Sequence, residues 1–80
     1  MEDGRLIRAG KYRGDAKAVA YIVAISNSSK AVDLIREKAA DPADDVQDLG
    51  RVSAALLMAL ELLPGEFIRA DGQRRALRVP

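Results

Sequence analysis

The longest apolar pattern in the chain lies between Asp41 and Gly65. Asp41 is suited to cap the start of a helix, Pro42 to occupy its first position, and Pro64-Gly65 to end it. The apolar residues between these signals recur at three- and four-residue spacing, which is typical of one helix face. They are Leu49, Val52, Leu56, Ala59, Leu60 and Leu63. The pattern therefore predicts a single helix from Asp41 to Leu63.

The second half of this predicted helix, Ala54–Leu63, is apolar on nearly every side. Glu61 is its only charged residue. A helix that is apolar on every side must be buried on every side, and a chain of 80 residues has too few other residues to surround it. We therefore expect a second copy of the chain to supply the cover. The expected contact residues are Leu56, Leu57, Met58, Leu60 and Leu62.

A short run of β-forming residues, Lys17–Ile25, predicts a strand. It ends at Ser26–Ser29, which are turn and cap residues. Side chains alternate in a strand, and here both faces are apolar, as in a central strand covered on both sides. One face carries Val19, Tyr21, Val23 and Ile25, and the other carries Ala18, Ala20, Ile22 and Ala24.

A first helix is predicted from about Lys30 to Ala40, capped by Ser28 or Ser29. Its buried stripe is formed by Ala31, Leu34, Ile35 and Ala39. Asp41-Pro42 ends this helix, because a residue that precedes proline disfavours helical backbone angles. The same dipeptide would begin the next helix, so the two are predicted to form a tight helical hairpin.

The ends of the chain contain further strand signals. Arg5–Ala9 is a short strand candidate, and Met1–Gly4 is expected to be a frayed, disordered start. Near the other end, Asp71-Gly72 is a two-residue hairpin signal between Phe67–Ala70 and Gln73–Val79. These segments predict a C-terminal β-hairpin.

Together these elements predict one small α+β domain over residues 1–80. A central strand carries a helical hairpin, and the C-terminal β-hairpin extends the sheet. The alternative is an all-α fold, because the alanines also allow one long helix from Asp15 to Ala40. That helix would fold back on the second one, and the helical hairpins would assemble into a bundle.

The chain has no cysteine and no histidine. Disulfides, thiolate metal sites and Ser–His or Cys–His nucleophile pairs are therefore excluded. We expect no cofactor and no enzymatic activity. The sequence also has no apolar run of about 18 residues and no signal-like start, so we expect a cytoplasmic protein without membrane contact. The Ala, Arg and Asp bias suggests a bacterial source.

Two charged clusters are candidate sites. Asp41, Asp44 or Asp45, and Asp48 share one face of the predicted helix and could hold a divalent cation. The simpler interpretation is favourable charge at a helix start. The basic residues of the C-terminal hairpin could contact an anion or a nucleic acid, or could protect a sheet edge. They are Arg69, Arg74, Arg75 and Arg78.

From the sequence we expect a non-enzymatic module that self-associates, as a dimer, or binds another protein as a regulatory subunit. The surplus of apolar side chains in Ala54–Leu63 motivates this hypothesis. Nucleic-acid binding through the basic terminal segments is the alternative.

Overall fold

A computed structural model describes residues 2–70. They form a four-stranded antiparallel sheet with the strand order β3-β1-β2-β4, and two helices. The elements are β1 (Gly4–Gly10), β2 (Val19–Val23), α1 (Ser28–Lys38), β3 (Asp45–Val52), α2 (Ala54–Ala59) and β4 (Phe67–Arg69). The predicted α+β class is confirmed, and the all-α alternative is wrong.

β2 is an inner strand of this sheet, as its two apolar faces predict. It pairs with β1 on one side and with β4 on the other. Tyr21 and Val23 point into a core on the α1 side of the sheet, which we call face 1. Ile22 and Ala24 point into a separate core on the opposite side, face 2. The predicted strand at Arg5–Ala9 is also confirmed, since it lies within β1.

α1 covers face 1 of the sheet. Its N-cap is Asn27, whose side chain accepts a hydrogen bond from the backbone N–H of Lys30 at 3.0 Å. Asn27 lies one residue before Ser28 and Ser29, the predicted caps, and its side chain accepts the hydrogen bond that a capping serine would accept. Ala31 and Ile35 are fully buried against the sheet. α1 then carries the chain past β1, so that β3 pairs with the outer side of β1.

The single helix predicted from Asp41 to Leu63 is wrong, and the helical hairpin is wrong with it. Asp41–Asp44 forms a closed turn, in which the Asp44 N–H donates to the Asp41 carbonyl at 2.9 Å. The Asp41 N–H donates in return to the Asp44 carboxylate at 3.1 Å. This turn closes where the helix was expected to begin, and the chain then enters β3.

β3 contains an irregularity opposite Leu6 and Ile7 of β1. Leu6 pairs with Gly50 and Ile7 pairs with Asp48, so Leu49 is an extra residue. Gly50 has a φ of 138°, a backbone conformation that side chains rarely allow. Gly50 is therefore the residue that permits the bulge.

α2 is short and lies against face 2. Ser53 caps its start by accepting from the Leu56 N–H at 3.2 Å. Two backbone bonds close its end: Glu61 N–H to Met58 carbonyl at 3.0 Å and Leu62 N–H to Leu57 carbonyl at 2.9 Å. This is a Schellman motif, which satisfies the last helical carbonyls. The two helices thus cover opposite faces of the sheet and do not form a hairpin.

The N-terminal end differs from the prediction, whereas the C-terminal end agrees with it over Phe67–Arg69. The Asp3 carboxylate accepts from the Ala54 N–H at 3.0 Å, and Gly4 is the first residue of β1. Asp3 and Gly4 therefore belong to the folded structure. Phe67–Arg69 is a strand, as predicted for the first arm of the C-terminal hairpin. The Asp71-Gly72 turn and the second arm, Gln73–Val79, lie outside the described residues.

Candidate interaction surface

The outward side of α2 is entirely apolar. Successive helical residues are about 100° apart, so the residues opposite the buried Leu57 are Ala55 and Ala59, with Leu56 and Met58 on the flanks. All four are exposed. Leu56 is 41% exposed and Met58 is 65% exposed. We call these four residues the α2 surface.

The five residues predicted for self-association divide into two groups. Leu57, Leu60 and Leu62 are buried in the chain's own core on face 2, together with Ala24 and Val52. Leu56 and Met58 face outward. Three of the five predicted contact residues are therefore buried within the chain itself.

Three exposed residues of the same segment were not predicted as contacts. Ala55 and Ala59 are the centre of the α2 surface, and Leu63, just beyond it, is 62% exposed. Ser53 was the signal that could have located them, because a cap at that position fixes the start of α2 and hence its outward side.

Polar groups border the α2 surface near its N-terminal end. Arg51 and Asp3 form an exposed ion pair there, with Nη1 and Oδ2 3.5 Å apart. An apolar centre with a polar rim is the usual composition of a protein–protein interface.

A second cluster joins α1 to the bulge of β3. The Asp48 carboxylate accepts from Arg5 Nε at 2.8 Å, from Gly50 N–H at 2.8 Å and from the Ser28 hydroxyl. Burial raises the pKa of Asp48, but the hydrogen bonds from Ser28, Arg5 and Gly50 outweigh that effect and hold the pKa below its ordinary value. The cluster fixes the first turn of α1 over β1 and β3.

The predicted acidic cluster is only partly assembled: Asp41 and Asp44 come together around Lys11, while Asp45 and Asp48 lie elsewhere. Asp41 and Asp44 lie in the turn before β3, Asp45 starts the strand, and Asp48 is engaged at the bulge. Among the described residues, no group of three or more acidic, histidine or cysteine side chains could hold a metal ion. These aspartates were predicted to share one face only because residues 41–63 were predicted to form a single helix.

The predicted basic set is represented here by Arg69 alone. Arg69 is the last residue of β4, pairs with Tyr21 in register and is half-buried. Arg74, Arg75 and Arg78 lie outside the described residues. Arg69 is thus the only member of this set among the described residues, and it lies beside Tyr21 of the face 1 core.

Comparison with protein-family models, with curated proteins and with solved structures finds no match for this chain. Its interpretation therefore depends on its own residues. In the segment 2–70, neither helix has the length and apolar character required to cross a membrane.

Proposed function

We propose that the protein is a small non-enzymatic interaction module, and that it binds a second copy of itself through the α2 surface. The observation that carries the proposal is the apolar outward side of α2. Leu56 and Met58 are exposed there while Leu57, between them, is fully buried. A helix with apolar residues on both its inward and outward sides needs a second layer of cover.

A second copy of the chain fits this surface because its small central residues and longer flanking residues can pack against the same residues of the partner. In a two-fold contact each chain presents the same patch. Ala55 and Ala59 at the centre allow two helix backbones to approach closely, and the longer Leu56 and Met58 can pack on either side of that contact. The α2 surface carries no charge that a second copy would have to neutralise or repel.

The test is molar mass in solution, measured by light scattering on a sizing column at low and high salt. We expect the chain to give twice its monomer mass of 8.6 kDa, at both salt concentrations, because the contact is apolar. Met58→Asp and Leu56→Asp should return the mass to 8.6 kDa while the circular dichroism spectrum stays unchanged.

Tyr12→Asp is the matched control. Tyr12 is 63% exposed, close to the 65% of Met58, but it follows β1 at the end of the sheet opposite the α2 contact with Gly4. This variant should remain dimeric. A wild-type chain that is monomeric at all concentrations, or a dimer that survives both α2 substitutions, would contradict the proposal.

A further inference from the structure

A cleft opens on face 1, at the end where β1 leads into β2. Its volume is about 540 Å³, which lies within the range of small-molecule sites. Its apolar floor is formed by Ala9, Val19, Tyr21 and Ala39. Charged side chains of the β1–β2 loop and of the turn before β3 surround its mouth. We call it the Tyr21 cleft.

One wall of the Tyr21 cleft is held in place by Asp15. Its two carboxylate oxygens accept from the backbone N–H groups of Lys11 and Lys17, each at 2.9 Å. These two hydrogen bonds lower the pKa of Asp15. Asp15 therefore fixes the loop and positions the side chains of Lys11 and Lys17 at the mouth.

The opposite wall carries two carboxylates that share one loosely placed ammonium group. Lys11 Nζ lies 3.6 Å from an Asp41 oxygen and 3.7 Å from Asp44 Oδ1. A direct charge-assisted hydrogen bond measures about 2.7–2.9 Å, so neither contact is a close one. Asp44 is only 15% exposed, and its other oxygen is held by the Asp41 N–H. Asp44 is thus a fixed acceptor.

We propose that the Tyr21 cleft binds a small molecule with a primary ammonium group and an apolar body of about the size of one aromatic ring. The ammonium displaces Lys11 Nζ from Asp41 and Asp44, and the apolar body rests on Tyr21 and Val19. This ligand site is on the α1 side of the sheet, so it is independent of self-association through the α2 surface.

The charged lining residues of the Tyr21 cleft are three carboxylates and two lysines: Asp15, Asp41, Asp44, Lys11 and Lys17. The three carboxylates at the cleft are matched by three cations, because Arg8, which donates from Nη2 to the Tyr12 carbonyl at 3.0 Å, lies beside the two lysines. The preference for a cation therefore comes from the wall of Asp41 and Asp44, where both carboxylates face Lys11 Nζ. An incoming ammonium replaces the long contacts of Lys11 with shorter ones and leaves Lys11 free to move into water. An incoming carboxylate would face Asp41 and Asp44 and would be repelled.

The experiment is a titration of the ¹⁵N-labelled full chain, followed by amide chemical shifts, with three probes of one size. They are 2-phenylethylamine, 2-phenylethanol and phenylacetate. We expect saturable shifts at Lys11, Ala39 and Asp44 with the amine, weaker shifts with the alcohol and none with the acid. Shifts that do not saturate, or that are equal for the amine and the acid, would overturn the proposal.

Two variants and a control make the test specific. Asp44→Asn should weaken 2-phenylethylamine binding about tenfold, because one charge-assisted contact is lost. Lys11→Gln should tighten binding, because it removes the competing ammonium. Asp33→Asn removes an exposed carboxylate of α1, 72% exposed, and should leave binding unchanged. Unchanged binding in Asp44→Asn, with an otherwise native spectrum, would place the ligand elsewhere.

Discussion

At the scale of single residues, Asp48 joins three parts of the fold. Arg5 of β1, Gly50 of the bulge and Ser28 of α1 all donate to its carboxylate, which is 14% exposed. A carboxylate with several donors is stabilised in its charged form, and the donors lose their acceptor if it is replaced. Asp48 therefore contributes to stability rather than to cation binding.

Replacing Asp48 by Asn tests this role through pH. Because folding lowers the pKa of Asp48, its contribution is present above the ordinary value of 3.8 and is lost as pH falls through the folded-state pKa. We expect Asp48→Asn to lose about 1–3 kcal/mol of unfolding free energy at neutral pH. Urea denaturation of both chains across acidic pH should show the difference shrinking. A difference that is constant with pH would contradict the assignment.

Glu61 has a φ of 59°, a left-handed conformation that costs a non-glycine residue free energy. It stands at the position of the Schellman motif where glycine is usual. Glu61→Gly should therefore raise the unfolding free energy by up to about 1 kcal/mol. Thermal denaturation followed by circular dichroism measures this change.

Glu37→Gly is the control for Glu61, because Glu37 lies in α1 and has helical neighbours on both sides. The same substitution there should lower stability, by up to about 1 kcal/mol. Equal effects of the two substitutions would show that Glu61 is not strained.

At the scale of elements, residues 41–65 show how a helical spacing can arise without a helix. Val46 and Val52 are buried residues of β3, and Leu57 and Leu60 are buried around α2. Of the six residues of the predicted helix face, only Val52 and Leu60 are buried, and Leu49, Leu56, Ala59 and Leu63 are exposed, so the three- and four-residue spacing did not mark the buried positions. Gly50 and Ser53 marked the boundary, but each is also tolerated within a helix at a modest cost.

The favoured strand predictions for β1 and β2 are confirmed, and the alternative long helix from Asp15 to Ala40 is wrong. Val19–Val23 is rich in β-branched residues and ends at turn residues, so both its strand form and its two apolar faces were predictable. β1 was predictable within one residue at each end. The pairing order of the strands and the placement of the two helices on opposite faces depend on contacts distant in sequence, which no local pattern encodes.

Neighbouring residues of α2 should respond very differently to alanine. Leu57 is fully buried on face 2, so Leu57→Ala should lower the unfolding free energy by about 2–5 kcal/mol. Met58 points away from the sheet, so Met58→Ala should change the stability of the monomer by less than about 0.5 kcal/mol. Urea denaturation at concentrations low enough to give monomer measures both. Similar losses in the two variants would mean that α2 is rotated from the orientation described.

At the scale of the whole molecule, several large apolar side chains stay exposed among residues 2–70, and three of them, Leu56, Met58 and Leu63, belong to or follow α2. The sequence predicted more apolar side chains in Ala54–Leu63 than the chain could bury. The fold buries some of these side chains and leaves others exposed. Leu57, Leu60 and Leu62 complete the core of face 2, while Leu56, Met58 and Leu63 stay exposed. Which residues would form an interface could not be predicted until the inward side of α2 was known.

The Tyr21 cleft was not predictable from the sequence. Its two walls come from the loop after β1 and the turn before β3, which are brought together only by the pairing of β1 with β3. Two of the acidic residues that line it, Asp41 and Asp44, were instead assigned to a helix start. Their true neighbour, Lys11, is distant in sequence.

The most direct measurement of the central proposal is disulfide trapping across the α2 surface. The chain has no cysteine, so a single introduced cysteine can pair only with the same residue of another copy. A disulfide requires Cα atoms within about 7 Å of each other. If two copies meet through the α2 surface, Ala55→Cys or Ala59→Cys should form a covalent dimer rapidly under mild oxidation, while Tyr12→Cys should not. Cross-linking of both α2 variants no faster than that of Tyr12→Cys would contradict the account.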